Sequence, residues 1–344
     1  MRHLIAIASL FMSMTLTALG QQNNAQHYKV SGQIPIGGEG GWDYLYADSP
    51  NRTLYVTHGT EVEIVDLDSD KPVGKITGLK GIHGVAVAGD LNRGFISDGK
   101  DNTVVVFDLK SHTVLQKVKA GTNPDGILYD PASKRVFAFN GRSNDATAID
   151  AASGNVAGTL PLGGKPEFPV TDGSGNVFVN IEDKNEIVQF DPKELKIKNR
   201  WKISPCEGPS GLAWDDANRK LFAVCDEKKM VVVDAGSGKV TATVSIGDGP
   251  DATAFDSANK LAFSSNGQDG TLTVVKQDSA DKYSIVENVP TEKSARTMAL
   301  DSKTHKIYLS AAELGPRPAP TADNPHPRPA IKSGSFHLIV VSPE

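Results

Sequence analysis

The chain has 344 residues, of which 39% are hydrophobic and 22% charged, proportions that exclude a disordered or membrane-embedded protein. Its formal net charge is −5 and no basic patch follows the pattern of a phosphate-binding surface, so we do not expect nucleic acid as a partner. The 33 glycines and 20 prolines indicate many turns.

The first twenty residues predict a signal peptide. A positive start, MRHL, precedes an apolar stretch, and the small residues ALG stand before Gln21. The apolar stretch of about 15 residues is shorter than the roughly 20 that span a bilayer, so cleavage is favoured over an anchor. We therefore expect residues 1–20 to be removed, residues 21–344 to form one domain, and the protein to be periplasmic or secreted without an integral membrane span.

Apolar runs that end in aspartate recur at intervals of 41 to 43 residues. They end at Asp66, Asp108, Asp150, Asp191 and Asp234. GTNPDGILYDPASKRVFAFNG, beginning at Gly121, has a near-copy in GDGPDATAFDSANKLAFSSNG, beginning at Gly247, 126 residues or three intervals later. Repeats of about 40–45 residues that hold four short strands each are typical of propeller blades.

Each repeat can be divided into strands and turns. In the unit that starts near Thr122, the predicted strands are GILYD, RVFAFN, ATAID and NVAGTLPLGG. The seven units start near Gly41, Ile82, Thr122, Lys165, Cys206, Pro250 and Ala295. The last unit lacks a fourth strand, and residues 27–38 form an unpaired strand before the first. We predict an all-β, seven-bladed β-propeller whose ring is closed by this N-terminal strand pairing with the last blade.

These repeats resemble those of the YVTN-repeat, or YncE-like, propeller family. The likeness is carried by YVTHGTEVEIVD, GTNPDG, YDPASKRVFAFN and NTVVVFD, and it covers residues 28–344. The resemblance implies the propeller fold. It implies no single function, because related propellers serve as binding modules, enzyme subunits and surface proteins.

One position of the repeat varies in a way that predicts a ligand site. The innermost strand of a blade starts at one end of the central channel, where this position holds Asp43, His83, Asp125, Glu167, Ser210, Asp251 and Arg296. Counting along each hairpin, we expect the end of the second strand to face it, which adds His58, Asp98, Asn140 and Asn266. We predict a ligand-binding channel rim of Asp43, His58, His83, Asp98, Asp125, Asn140, Glu167, Asp251, Asn266 and Arg296.

Four of these rim residues suggest a metal site. Asp43, His58, His83 and Asp98 would offer two imidazoles and two carboxylates, a set that suits a divalent transition metal. A histidine beside an aspartate could equally act as a general base. Alternatively, polar residues at a channel mouth simply solvate the pore. The sequence leaves these interpretations open, and a divalent metal is the only cofactor it suggests.

A proline-rich insertion, residues 313–335, separates the second and third strands of the last blade at the same end of the channel. Its composition fits either a lid or partner-docking arm, or a disordered surface loop.

The only two cysteines, Cys206 and Cys225, predict a disulfide, since an even pair in an exported chain is usually oxidised.

These features give two leading hypotheses for function. The first is an exported binding or scaffold module that holds a small-molecule ligand or an envelope protein at the channel mouth. The alternative is a metal-assisted hydrolase, lyase or redox enzyme at the rim, and a third possibility is a purely structural surface protein. We expect a monomer, because a closed ring leaves only short edges.

Overall fold

A computed structural model describes residues 26–321, residue 327 and residues 329–344. Within them, seven four-stranded antiparallel sheets form a ring, and the only helices are two single 3-10 turns, Gly89–Leu91 and Glu182–Lys184. The predicted seven-bladed, all-β propeller is confirmed. None of the helices in the described part of the chain is long and apolar enough to cross a membrane. The predicted signal peptide, residues 1–20, lies outside the described residues.

The strands follow the predicted repeat. The first strand is β1, Tyr28–Pro35, and the four strands of each blade then follow in chain order. Blade one consists of β2 Trp42–Asp48, β3 Thr53–His58, β4 Glu61–Asp66 and β5 Lys71–Ile76. Blade two consists of β6 Ile82–Ala88, β7 Arg93–Asp98, β8 Thr103–Asp108 and β9 Val114–Lys119. Blade three consists of β10 Pro124–Asp130, β11 Arg135–Asn140, β12 Asp145–Asp150 and β13 Val156–Pro161. Blade four consists of β14 Pro166–Thr171, β15 Val177–Ile181, β16 Glu186–Asp191 and β17 Lys196–Lys202. Blade five consists of β18 Leu212–Asp215, β19 Lys220–Cys225, β20 Lys229–Asp234 and β21 Val240–Ser245. Blade six consists of β22 Pro250–Asp256, β23 Leu261–Asn266, β24 Thr271–Ser279 and β25 Lys282–Pro290. Blade seven consists of β26 Thr297–Asp301, β27 Lys306–Ala311, β28 His337–Pro343 and β1.

The ring closes through the N-terminal strand. β1 pairs antiparallel with β28, so the last blade has the order β1-β28-β27-β26. Tyr28 and Ile34 of β1 are buried, Tyr28 with the core shared with blade six and Ile34 with the core shared with blade one. Burying such a side chain stabilises the fold by about 1.5–3 kcal/mol. The predicted closure is confirmed.

The hydrophobic core lies between the blades. Each of seven apolar clusters combines side chains from two neighbouring blades, as in the cluster of Tyr55 and Ile64 from blade one with Ile96 and Phe107 from blade two. The second and third strands are covered on both faces, which explains why they read as unbroken apolar runs rather than alternating patterns.

The repeated aspartates after the third strands shape turns. Each accepts a hydrogen bond from a backbone amide three residues further on, as Asp66 does from Ser69 at 2.7 Å and Asp150 from Ser153 at 2.7 Å. The remaining members are Asp108, Asp191 and Asp234. Their repetition belongs to the scaffold and not to a reaction site.

In blade five, Cys206 and Cys225 are joined in a disulfide with their Cα atoms 5.4 Å apart. Both residues are buried, and the bond ties the loop before β18 to the end of β19.

Candidate ligand site at the channel mouth

The innermost strands of five blades begin with a β-bulge. In blade three, Asn140 pairs with Pro124 and Ala138 pairs with Ile127. Two residues of the inner strand, Asp125 and Gly126, therefore lie opposite a single residue of the second strand. Blades one, two, four and six show the same irregularity. A bulge turns its residue out of the ladder, and it thereby directs the varied position of the repeat towards the channel.

Because of the bulge, the observed pairing of the first two strands differs from the predicted hairpin register by one residue. His58, Asp98, Asn140 and Asn266 pair with the residues before the rim position, and all four are at most 1% exposed inside their blades. Predicting them as rim residues was wrong, because simple counting ignores the extra bulge residue.

Three of these four buried residues have structural partners. The Asp98 carboxylate accepts hydrogen bonds from the backbone amides of Lys80 and Gly81 at 3.1 and 3.0 Å. Asn140 donates to Asp145 at 2.6 Å and to Thr147 at 3.0 Å. Asn266 makes the equivalent bonds to Thr271 and Thr273. These side chains fasten the blade ends together and are not available to a ligand in the channel.

The predicted metal set is therefore not assembled. Asp43 and His83 lie together, but Asp98 binds backbone amides and His58 stacks on Phe336, with ring centroids 4.1 Å apart. Asp125 takes the place of the missing ligands: single donor atoms of Asp43, His83 and Asp125 all lie within 4.8 Å of one another.

The varied repeat position lines a single cavity at the channel mouth. The cavity has a volume of about 820 Å³, within the range of small-molecule sites. Its wall includes one residue from each blade: Asp43, His83, Asp125, Glu167, Ser210, Asp251 and Arg296. The inner strands approach closely here, since a Cβ on Gly126 would lie 2.4 Å from the carbonyl oxygen of Glu167. Glycine after the rim residue is needed for this approach.

His83 joins two carboxylates across three blades. Its Nδ1 donates a hydrogen bond to Asp43 at 2.7 Å and lies 3.5 Å from Asp125. Burial lowers the pKa of His83, but the hydrogen bond to Asp43 and the charges of Asp125 and Asp43 outweigh it and raise the pKa. The pKa of Asp125 is raised to about 6, mainly by burial and then by the charge of Asp43.

Glu167 is the second largely buried carboxyl of the wall, with a side chain that is 14% exposed. It accepts a hydrogen bond from the hydroxyl of Tyr44 at 2.9 Å and lies 3.4 Å from Nζ of Lys165. Burial, followed by the charge of Asp125, raises the pKa of Glu167 to about 8. Glu167 therefore keeps its proton to a higher pH than an exposed glutamate does.

Arg296 neutralises the opposite side of the cavity. Its guanidinium contacts Asp251, donates to the backbone carbonyl of Trp42 at 2.7 Å, and lies 3.8 Å from Asp43. Burial lowers the pKa of Arg296, but the charges of Asp251 and Asp43 raise it on balance, so the side chain stays charged. This arginine links blade seven to blades one and six at the rim.

The described part of the insertion forms one side of the cavity. Its two ends meet at an antiparallel bridge between Leu314 and Ile331, flanked by an ion pair of 2.6 Å between Glu313 and Lys332. Leu314, Arg317, Pro329 and Ile331 line the cavity. The insertion thus places both apolar groups and a positive charge over the acidic rim.

Sequence reasoning missed several wall residues, among them Lys165, Glu182 and Asp226. A signal for two of them was present in the repeat. The position after the second strand holds glycine in four blades, at residues 59, 99, 141 and 267, whereas Glu182 and Asp226 stand there in blades four and five. Comparing the repeats at this position would have identified both carboxylates.

No protein-family model matches the chain, and no curated protein matches it. Solved structures do match. Hydrazine synthase of Kuenenia stuttgartiensis is 14% identical with a TM-score of 0.70, over 78% of this chain and 92% of that one. A chain in a crystal structure of the mitotic checkpoint complex is 13% identical with a TM-score of 0.74, over 98% of this chain and 99% of that one. At these identities the likeness shows the propeller fold alone.

Proposed function

We propose that this protein is an exported, YncE-like binding module whose channel-mouth cavity holds a small organic cation. The propeller fold is consistent with a binding or scaffold role. The observation that carries the proposal is the pair of largely buried carboxyls, Asp125 and Glu167, whose side chains are 13% and 14% exposed and line the same cavity.

The charge balance of the wall supports a cationic ligand. Among the described residues it contains six carboxyl side chains against four lysine or arginine side chains and His83. Arg296 lies against Asp251, and Lys165 lies between Glu167 and Glu182. An oxygen of Asp125, Oδ1, is buried without a hydrogen-bond partner in the described structure. A ligand ammonium group would supply both the hydrogen bond and the opposite charge.

Proton linkage gives this binding mode a distinctive signature. Because a cation favours the ionised carboxylates, its binding lowers the pKa values of Asp125 and Glu167 and releases protons. Affinity should therefore rise with pH between about 5 and about 9. A neutral ligand would show no such increase.

A second candidate function is the metal-assisted enzyme. The donor atoms of Asp43, His83 and Asp125 that lie within 4.8 Å of one another favour it, because one imidazole and two carboxylates suit a divalent transition metal. A metal held there would act as a Lewis acid on a substrate in the same cavity. The protein's own residues would position that substrate through Arg296 and Glu167.

The test compares a diamine with its neutral counterpart. The melting temperature of the full mature chain is measured at pH 8 with 1,4-diaminobutane, with 1,4-butanediol, and with zinc or manganese chloride at matched ionic strength. We expect the diamine at millimolar concentration to raise the melting temperature by several degrees, since a ligand that binds only the folded state stabilises it. The diol should have no effect.

Variants assign the effect to the cavity. Asp125→Asn should abolish most of the diamine effect, whereas Asp278→Asn, which removes an exposed carboxylate outside the cavity wall, should leave it unchanged. A metal effect that disappears in Asp125→Asn, without a diamine effect, would favour the enzyme instead. Equal effects of diol and diamine, or none from any probe, would refute the proposal.

A further inference from the structure

We propose that blade one carries a second site, for a divalent transition-metal ion, formed by His58, Glu61 and Glu63. One donor atom from each of these residues lies within 4.8 Å of the other two. None of the three residues lines the channel-mouth cavity, so the site is independent of the proposed ligand site.

The hairpin register brings the three side chains to one face. His58, the last residue of β3, pairs directly with Glu61, the first residue of β4, and Glu63 follows two residues later. Side chains two residues apart on a strand share a face, and directly paired residues do so across strands. The face in question is the one that His58 presents to Phe336 of blade seven.

His58 differs from its counterparts in the other blades. The polar residues at the ends of second strands, Asp98, Asn140 and Asn266, all form side-chain hydrogen bonds within their blades. His58 is 1% exposed, one of its ring nitrogens contacts the backbone of Gly40, and the remaining nitrogen has no hydrogen-bond partner among the described residues. Buried polar groups are nearly always satisfied, and a bound ion would satisfy one of these nitrogens.

Packing holds the imidazole in place. One face stacks on Phe336 at an interplanar angle of 17°, and a Cβ on Gly38 would lie 2.9 Å from the His58 ring. The backbone amide of Gly334 donates to the carbonyl of Gly38 at 3.0 Å, so the base of the insertion fastens the loop that covers His58. Stacking, packing and the contact with the backbone of Gly40 thus orient the ring and leave one nitrogen available to coordinate.

The carboxylates supply the charge that a divalent ion requires. Glu63 is 9% exposed and lies beside Glu61, so two carboxyl groups converge on a largely buried imidazole. Lys75 balances one of them, with Nζ 3.0 Å from Glu61. The Lys75 side chain is 52% exposed and is free to withdraw into solvent when an ion takes its place.

The ligand type and spacing suit zinc. Zinc binds imidazole nitrogen at about 2.0–2.1 Å and carboxylate oxygen at about 2.0–2.2 Å, which places donor atoms roughly 3.4 Å apart in a tetrahedral site. Small rotations of the glutamates from the present arrangement would reach this spacing. Water would complete the coordination, because only three protein ligands converge.

The experiment is a calorimetric titration of zinc chloride into the full mature chain after chelator treatment. We expect one equivalent of zinc that is retained in Asp125→Asn, because this residue belongs to the channel-mouth cavity. Glu61→Gln/Glu63→Gln should bind at least tenfold more weakly. Both substitutions preserve shape and remove a like-charge contact, so the double variant should fold.

A lysine pair provides the matched control. Lys75→Gln should tighten zinc binding several-fold by removing the competing charge, whereas Lys71→Gln, on the same strand β5, should stay within twofold of wild type. Zinc should also shift the ring-nitrogen NMR resonances of His58. The proposal is overturned if zinc does not bind, if binding is lost in Asp125→Asn, if the double glutamine variant keeps wild-type affinity, or if the His58 resonances do not move.

Discussion

Arg52 of blade one donates two hydrogen bonds to the carboxylate of Asp301 in blade seven, each 2.8 Å long. The Asp301 side chain is fully buried and the Arg52 side chain is 11% exposed. Burial alone would raise the pKa of Asp301. The hydrogen bonds to its carboxylate, of which the bond from Arg52 has the largest effect, lower the pKa well below its ordinary value. This bidentate pair joins the first and last blades at the opposite end of the channel from the cavity.

Removing the arginine should destabilise the ring. Arg52→Met leaves a buried carboxylate without its cationic partner, and we expect a loss of about 3 kcal/mol in the free energy of unfolding by chemical denaturation. Asp68→Asn is the matched control, because Asp68 also bonds Arg52, at 2.9 Å, but its side chain is 64% exposed. That variant should lose less than about 1 kcal/mol. If the two variants lose equal amounts of unfolding free energy, burial does not determine how strongly Arg52 and Asp301 stabilise the fold.

The N-terminal strand should contribute through its buried face. Ile34→Ala removes a side chain that is 3% exposed in the core between blades seven and one, so we expect a loss of about 2–4 kcal/mol in denaturant unfolding. Val30→Ala, on the same strand but at a position 40% exposed, should change stability by less than about 1 kcal/mol. If Ile34→Ala unfolds like wild type, β1 does not close the ring in solution.

The raised pKa of Glu167 predicts a pH-dependent stability. Between its ordinary value of 4.5 and its folded value of about 8, the folded protein keeps a proton that the unfolded chain has released. The stability contributed by this proton is therefore lost as pH rises through that window. Glu167→Gln keeps the acceptor for Tyr44 and should melt about 2 °C or more above wild type at pH 9, with the gap closing near pH 4.5.

The control for Glu167→Gln is Glu194→Gln, which alters an exposed carboxylate in a turn of blade four. Its melting temperature should follow that of wild type across the pH range. A Glu167→Gln variant that melts below wild type at pH 9 would mean that the ionised carboxylate is stabilised by Lys165 rather than opposed by burial.

The disulfide should be complete and stabilising. Thiol titration of denatured, unreduced protein should detect no free cysteine, and two thiols per chain would contradict the bond. Because the cysteines are 19 residues apart in sequence, the cross-link should contribute about 3 kcal/mol. A reductant should therefore lower the melting temperature of wild type but not that of Cys206→Ala/Cys225→Ala.

The periodicity of the sequence was sufficient to predict the blades and the ring closure. Strands buried on both faces, such as VVVF in β8, repeat at a fixed interval, and the unpaired N-terminal strand matches the strand missing from the last blade. These features depend on hydrophobic burial and backbone pairing, which residue patterns record directly.

The site was only partly predictable because a bulge has no strong side-chain pattern. Asp125 and His83 were placed at the channel mouth, but one extra backbone residue moved Asn140 and His58 into the blade interior. Glycines after the rim position, at 84 and 126, were the available hint. The difference between Asn140, which donates to Asp145, and His58, which stacks on Phe336, depends on the surrounding atoms, which the repeat alone does not specify. Export and membership of the YncE-like family remain predictions.

The most direct test of the proposed cation site is a crystal structure of the protein with 1,4-diaminobutane at pH 8. The account predicts the diamine in the channel-mouth cavity, with an ammonium nitrogen within hydrogen-bond distance of the carboxylate of Asp125 or Glu167. A diamine bound elsewhere, or a cavity that holds none under conditions where the diamine raises the melting temperature, would contradict it.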